Sequence, residues 1–165
     1  MARKKSINFP NSEGELSPLL DKLQRSTVNS LLNAGGLVIH GSASKVAKTV
    51  NTIYCVVDGV LMSKAAADMP TLVGTVTAAK FNVFVFTTDV SGNLKAYMGT
   101  EGAALINVVF PAPLDGEVVI GFVIINPTGT GNFVGGTTAI DDATVVPGAL
   151  YVDTVGEFFP QFSTL

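Results

Sequence analysis

The sequence has no tryptophan and contains only one cysteine, Cys55, and one histidine, His40. A single cysteine excludes a disulfide framework within the chain and fits assembly in a reducing cytoplasm. A single histidine means that any Ser-His-Asp or Cys-His mechanism would have to use His40. Cys55 lies within an apolar predicted strand and His40 lies at the end of another, so we interpret both as structural residues.

Sequence signatures of catalysis and metal binding are absent as well. There is no G-x-S-x-G nucleophile elbow, and the loop 41–49, GSASKVAKT, lacks the glycines that a phosphate-binding loop requires. Asp141, Asp142 and Asp153 could hold a calcium ion if the fold brought them together, but no D-x-D-x-D-G spacing supports such a site. We therefore predict a protein that is not an enzyme and that binds no cofactor or metal.

Charged residues make up only 14% of the chain, whereas 47% of it is hydrophobic. Ordinary globular chains are about one quarter charged, so we expect other subunits to cover much of this surface. The alternative is a β-domain whose surface is built from threonine, glycine and asparagine. No run of about eighteen apolar residues predicts a membrane span, and the polar stretch after the first basic residues does not resemble a secretory signal.

The two signs of charge are unevenly distributed along the chain. Residues 1–95 hold 10 basic and 6 acidic residues, whereas residues 96–165 hold 7 acidic residues and no basic one, for a net charge of −3. Where such a separation survives folding, it favours contacts between copies or docking on a partner of opposite sign. The only basic cluster is Arg3-Lys4-Lys5 and the pI is near 5.0, so nucleic acid is not the predicted partner.

The predicted fold is organised around a hairpin at Phe81–Gly99, with its turn at Ser91-Gly92-Asn93. Its first strand has apolar side chains on both faces, which are Phe81, Val83 and Val85 on one face and Phe84 and Phe86 on the other. Since successive strand side chains point to opposite faces, this strand must be covered on both sides. The second strand alternates apolar residues with Lys95 and Tyr97, which is typical of a strand with one solvent-exposed face.

The rest of the chain after residue 36 also reads as short strands separated by turns. Asp58-Gly59 between two apolar runs predicts a type I′ hairpin that pairs Val57 with Val60, and Gly121 within an apolar strand predicts a bulge or a close neighbour. These patterns predict a mainly β fold, an antiparallel sandwich or barrel that is jelly-roll-like. Besides the central hairpin, the predicted strands are 37–40, 52–57, 60–63, 72–76, 105–110 and 118–125, with further candidates at 133–140, 144–146 and 150–155.

One helix is predicted before the β-region, at roughly 18–33. Ser17 is a favoured N-cap, Pro18 suits the first helical position, and Gly35-Gly36 ends the helix. The helix has one apolar stripe, formed by Leu16, Leu19, Leu20, Leu23, Thr27, Leu31 and Leu32. We therefore divide the chain into an arm and helix at 1–35 and a β-domain with an apolar C-terminal tail at 36–165.

The two ends of the chain supply the candidate interface residues. The arm is either a frayed terminus or a segment that orders on a neighbouring subunit, and the tail either folds back on its own core or reaches across to a neighbour. The predicted interface residues are Arg3, Lys4, Lys5 and Phe9 in the arm and Phe158, Phe159, Phe162 and Leu165 in the tail.

Two stretches of the β-region share a pattern of strands and loops with a known protein family. They are GGLVIHGSASKVAKTVNTIYCVVDGVLMSKAA and VVIGFVIINPTGTGNFVGGTTAIDD, and the pattern spans roughly residues 36–155. It resembles the small virion structural proteins of tailed bacteriophages. It implies a small β-domain that binds the capsid surface as a decoration (cement) protein. The implied partners are the major capsid protein and copies of the chain itself as a homotrimer, in a virion assembled in the host cytoplasm. No functional residue is carried over from the family.

Two other functions stay open at this stage. Within the virion, the protein could be a component of the neck, the tail or the fibre base. In another class, it could be a receptor- or carbohydrate-binding module, although the lack of tryptophan and the presence of only three tyrosines weaken that interpretation.

Overall fold

The computed structural model describes residues 29–112, 114–127 and 130–155. These residues form eleven strands and one 3-10 turn at Leu105–Asn107. The strands are β1 (Ser30–Leu31), β2 (Leu37–Ile39), β3 (Ala47–Thr49), β4 (Ile53–Val57), β5 (Val60–Lys64), β6 (Thr75–Val76), β7 (Asn82–Asp89), β8 (Leu94–Met98), β9 (Glu117–Ile125), β10 (Phe133–Val134) and β11 (Leu150–Asp153).

The largest sheet is antiparallel, has the strand order β11-β9-β7-β8, and contains the predicted hairpin as β7 and β8. On one face of β7, Phe84 and Phe86 enter the main hydrophobic core. On the other face, Val83 and Val85 form a second buried cluster with Val119. The prediction that this strand is covered on both faces is therefore confirmed.

The main core lies between the four-stranded sheet and the three-stranded sheet β1-β4-β5. The smaller sheet contributes Ile53, Cys55 and Val57, which alternate along β4 and are fully buried. Two-stranded pairs, β2 with β3 and β6 with β10, complete the set. Among the strands described here, no sheet closes into a barrel, and no helix of these residues is long and apolar enough to cross a membrane.

One turn and one bulge have the backbone geometry that the sequence predicts. Asp58 and Gly59 both have positive φ, 50° and 76°, as a type I′ turn requires, and Val57 pairs with Val60. Opposite β7, the register shifts between Phe86 and Thr87, which leaves one extra residue in β9 next to Gly121. A Cβ on Gly121 would lie 2.5 Å from the carbonyl oxygen of Val152, so both predictions for this glycine are confirmed.

The prediction of a helix at roughly 18–33 is wrong at its C-terminal end. Residues 18–28 lie outside the described residues, but Ser30–Leu31 form β1 and pair with Val56 and Cys55. Leu31 therefore enters the core from a strand and not from a helical stripe. Long-range strand pairing has outweighed the local helical pattern here, as tertiary context often does.

Three shorter predictions also need correction. The loop 41–49 is only partly a loop, because Ala47 and Thr49 are buried in β3. The predicted strand 144–146 is a turn, in which Asp142 Oδ1 accepts hydrogen bonds from the backbone N–H groups of the next residues. The predicted strand 105–110 is a 3-10 turn followed by an isolated bridge between Thr100 and Val109.

Candidate functional site

None of the predicted interface residues falls within the described part of the chain. The four arm residues, Arg3, Lys4, Lys5 and Phe9, lie in 1–28, and the four tail residues, Phe158, Phe159, Phe162 and Leu165, lie in 156–165. Their role therefore stays a prediction.

The residues considered for catalysis are engaged in structural contacts. Cys55 is fully buried in the main core, and burial raises the pKa of its thiol, which makes it a poor nucleophile. His40 Nδ1 lies 2.6 Å from Asp68 Oδ1 on the protein surface, and among the described residues no hydrogen bond joins this pair to a nucleophile. The pair therefore reads as a surface contact that links β2 to the segment following β5.

The three aspartates considered for calcium are used separately. Asp141 accepts a hydrogen bond from the backbone N–H of Ala43 at 3.0 Å. Asp153 accepts one from Leu37, and Asp142 caps the turn that follows it. Across the described ranges, no three residues among histidine, cysteine, aspartate and glutamate are grouped to hold a metal ion.

The most unusual feature of the described residues is the segment 99–116, called the crossing segment below. Strands β8 and β9 are both antiparallel to β7, so they run in the same direction. The chain must therefore cross the full length of the sheet between the end of β8 and the start of β9. It does so over the outer face, where Val108 and Phe110 pack against the second buried cluster and the rings of Phe110 and Phe122 meet edge to face at 5.1 Å.

Other apolar side chains of the crossing segment are exposed to solvent. Ile106, in the 3-10 turn, is 91% exposed, and its neighbours Leu105 and Val109 are 45% and 53% exposed. These three residues are called the apolar tip below. Exposed apolar residues are ordinary when scattered singly, whereas three of them within five consecutive residues are a candidate for an interaction site.

A sequence signal for this site exists, although the sequence prediction missed it. Residues 102–114, GAALINVVFPAPL, contain no charged side chain and only one polar one, Asn107. An apolar run of this length predicts a buried strand only if it has a ladder partner. In this run Val108 and Phe110 cover a sheet, whereas Ile106 is exposed to water. The sequence alone does not show which apolar side chains of the run are buried and which are exposed.

The apolar tip is held in a defined conformation by backbone pairing. Phe81 and Gly102 exchange two hydrogen bonds of 2.8 and 2.9 Å, and Thr100 and Val109 exchange two of 2.9 and 3.1 Å. A Cβ on Gly102 would lie 2.7 Å from the carbonyl carbon of Asn107, so only glycine permits this close approach. A surface that is ordered before binding loses less conformational entropy when a partner docks.

A buried carboxylate anchors the other end of the crossing segment. Glu117, the first residue of β9, is only 5% exposed. It accepts hydrogen bonds from Lys95 Nζ at 2.7 Å, Tyr97 Oη at 2.8 Å and Thr87 Oγ1 at 2.9 Å. Three donors from two neighbouring strands therefore fix the point at which the segment enters the sheet.

The hydrogen bonds decide the charge of this carboxylate. Burial by itself would raise the pKa of Glu117, but the hydrogen bonds from Lys95, Tyr97 and Thr87 outweigh it, so the net pKa is lowered. The hydrogen bond to Glu117 raises the pKa of Lys95, and burial together with the same partner raises that of Tyr97. The group is thus a structural ion pair, and it lacks the raised carboxyl pKa of a general acid.

This ion pair predicts how stability depends on pH. Because the folded pKa of Glu117 lies below its unfolded value, its contribution is fully present above the unfolded pKa, near 4.3, and is lost as the pH falls through the folded pKa. We expect Glu117→Gln to lower the free energy of unfolding by about 1–3 kcal/mol at pH 7, with a shallower loss of stability below pH 5. Urea unfolding at several pH values measures both effects.

Glu101→Gln is the matched comparison for this experiment. Glu101 accepts hydrogen bonds from the backbone N–H and the hydroxyl of Thr77, and these lower the pKa of Glu101. Because Glu101 is more exposed than Glu117, we expect a smaller loss at pH 7. Equal losses in the two variants would show that the burial of Glu117 does not matter.

Comparisons with family models, with curated proteins and with solved structures found no match for this chain.

Proposed function

We propose that this protein is a non-catalytic structural component of a tailed-phage virion, which binds the capsid surface and stabilises the shell by bridging capsid subunits. The observation that carries the proposal is the apolar tip, an ordered and uncharged group with Ile106 at 91% exposure. A group of this kind offers binding surface and no chemistry. The resemblance of residues 36–155 to phage virion proteins points to the same class.

The physical basis of the binding would be burial of apolar surface. A standard interface buries about 1,600 Å² in total, and apolar burial contributes roughly 25 cal/mol per Å² before the costs of association. Because residues 102–114 carry no charge, contacts made through the tip should depend little on salt concentration. Several such contacts around each copy would add strength to a shell under internal pressure.

The partners in this proposal are the major capsid protein and further copies of the chain, with a homotrimer as the preferred assembly. The two sheets that share the main core would form a β-sandwich, and its jelly-roll-like character belongs to the same proposal. The arm and the tail would add contacts to those of the apolar tip. The protein would be located on the capsid surface, after assembly in the host cytoplasm.

The number of copies in purified virions tests this function directly. We expect one copy for each major capsid subunit, or a simple fraction such as one in three, because a bridging protein repeats with the lattice that it binds. Quantitative mass spectrometry of virions measures the ratio. The major capsid protein supplies the internal standard, and a tail protein of known low copy number supplies the comparison.

The other functions correspond to other outcomes of the same measurement. A handful of copies per particle would contradict a decoration role and would place the protein in the neck, the tail or the fibre base. Absence from the particle would overturn the structural role and leave a receptor- or carbohydrate-binding module. All three tyrosines lie in strands. Tyr97 is bound to Glu117, Tyr151 packs against the main core and Tyr54 is half-exposed, so the chain offers little aromatic surface for stacking on a glycan.

A further inference from the structure

A second uncharged surface lies on the outer face of the three-stranded sheet. Along β4, Ile53, Cys55 and Val57 point into the core, so Tyr54 and Val56 point outward. Val56 pairs with Leu61 and with Ser30, and Tyr54 pairs with Ser63. The outer face consists of Ser30, Leu32, Tyr54, Val56, Leu61 and Ser63, none of which is charged.

The apolar members of this outer face are neighbours and are exposed. Leu61 is 67% exposed on the edge strand β5, Tyr54 is 50% exposed on the central strand β4, and Leu32 is 51% exposed just after β1. The backbone N–H of Leu32 donates a hydrogen bond to the carbonyl of Tyr54 at 2.8 Å, so Leu32 continues the pairing. A sheet normally buries one face against another layer, and this face has no covering element among the described residues.

We propose that the outer face of the sheet β1-β4-β5 is covered by residues 16–28 of the same chain. The sequence pattern supplies the matching surface, because Leu19, Leu20, Leu23 and Thr27 follow a helical spacing and form one apolar stripe. Arg25 lies on the opposite side of that pattern and would face solvent. An apolar stripe on an uncharged sheet face leaves no charged group buried.

The position at which the chain enters the sheet supports this occupant. Asn29, the first described residue, has its Oδ1 2.6 Å from the backbone N–H of Asp58, which donates to it. Asn29 is therefore tied to the β4–β5 turn, at the edge of the outer face. With so short a tether, the effective concentration of residues 16–28 at their own sheet is far above that of any copy in solution.

The dimensions also agree. A helix over residues 18–28 would be about 16 Å long and about 10 Å wide. Strands of five residues span roughly 17 Å, and three strands spaced about 4.8 Å apart are about 10 Å across. One helix of this length covers the face. The proposal is independent of the capsid-binding function and does not involve the apolar tip of the crossing segment.

Engineered crosslinking in the full-length protein tests this proposal. In the double variant Leu23→Cys with Leu61→Cys, we expect a disulfide within one chain after mild oxidation, detected by non-reducing electrophoresis and peptide mass spectrometry. The matched control is Arg25→Cys with Leu61→Cys, which places the first thiol on the opposite side of the helical pattern. Cys55 is fully buried and is retained in both variants.

A disulfide within the chain in the Leu23 variant only would support the proposal. Disulfides between chains would overturn it in favour of a second copy as the occupant. Equal crosslinking of the Leu23 and Arg25 variants, or crosslinking in neither, would also overturn it, because the stripe would then not face the sheet.

Labelling of a single thiol gives an independent measurement that does not need a disulfide to form. In Leu61→Cys, reaction with a soluble maleimide should become about tenfold faster when Leu23→Gln is added, because removing one leucine from the stripe weakens the cover. Adding Arg25→Gln should leave the rate unchanged. If both additions change the rate equally, or neither does, residues 16–28 do not cover this face.

Discussion

Phe84→Ala is expected to lower the free energy of unfolding by about 3–5 kcal/mol, the range for removing a large buried aromatic side chain. Phe84 is 1% exposed at the centre of β7. Its ring meets that of Phe133 edge to face at a centroid distance of 5.9 Å. The loss combines the hydrophobic surface, the ring contact and the cavity that a close-packed core cannot fill by relaxation.

Such a loss is a large part of the total stability, since domains of this size are stable by about 5–15 kcal/mol. Urea unfolding measures it as a lower midpoint with an unchanged slope. Val90→Ala is the control, because Val90 lies in the turn of the same hairpin and is 47% exposed, so we expect a change within about 0.5 kcal/mol. A loss below about 1.5 kcal/mol for Phe84→Ala would mean that the main core is not centred on this strand.

Ile106→Asp is expected to weaken binding to capsids by about 30-fold or more, which corresponds to the 2 kcal/mol or more of an interface hot spot. The substitution places a charge at the most exposed apolar side chain of the apolar tip. Because Ile106 is 91% exposed, the free energy of unfolding should change by no more than about 0.5 kcal/mol. The test rests on the proposed capsid-binding function, and sedimentation with capsids that lack the protein measures it.

Val90→Asp is the matched control for this binding experiment. Val90 follows the last residue of β7, whereas the crossing segment bridges to Phe81 just before the first residue of that strand. Eight residues of strand, or about 26 Å, separate Val90 from Phe81, where the crossing segment pairs next to the apolar tip. A charge at Val90 should therefore leave capsid binding unchanged. Equal weakening by the two substitutions would indicate a general effect of charge, and full binding by Ile106→Asp would remove the apolar tip from the interface.

Local chemistry made the β-hairpins predictable from the sequence. The Asp58-Gly59 turn needs only two residues with positive φ, and both supply it. The two-sided apolar pattern of β7 specified a strand covered on both faces, because side-chain alternation depends on the backbone alone. Gly121 marked a crowded position for a similarly simple reason, since only a residue without Cβ fits beside the Val152 carbonyl.

Pairing between residues that are distant in the sequence decided the secondary structure of Ser30–Leu31 and the partners of Glu117, which the sequence alone did not show. Ser30 and Leu31 carry the end of a helical pattern, yet they form a strand because Val56 and Cys55 supply a ladder partner. Glu117 reads as one acidic residue among many. It became the anchor of a buried ion pair only when β7 and β8 brought Thr87, Lys95 and Tyr97 to it.

The candidate interface shows the same division between local and long-range information. The sequence by itself determined that residues 102–114 are uncharged and almost wholly apolar, which favours burial of part of the run. The tertiary structure decided which side chains do so within the chain. Since β8 and β9 run in the same direction, the segment crosses the sheet, and it buries Val108 and Phe110 while Ile106 stays exposed.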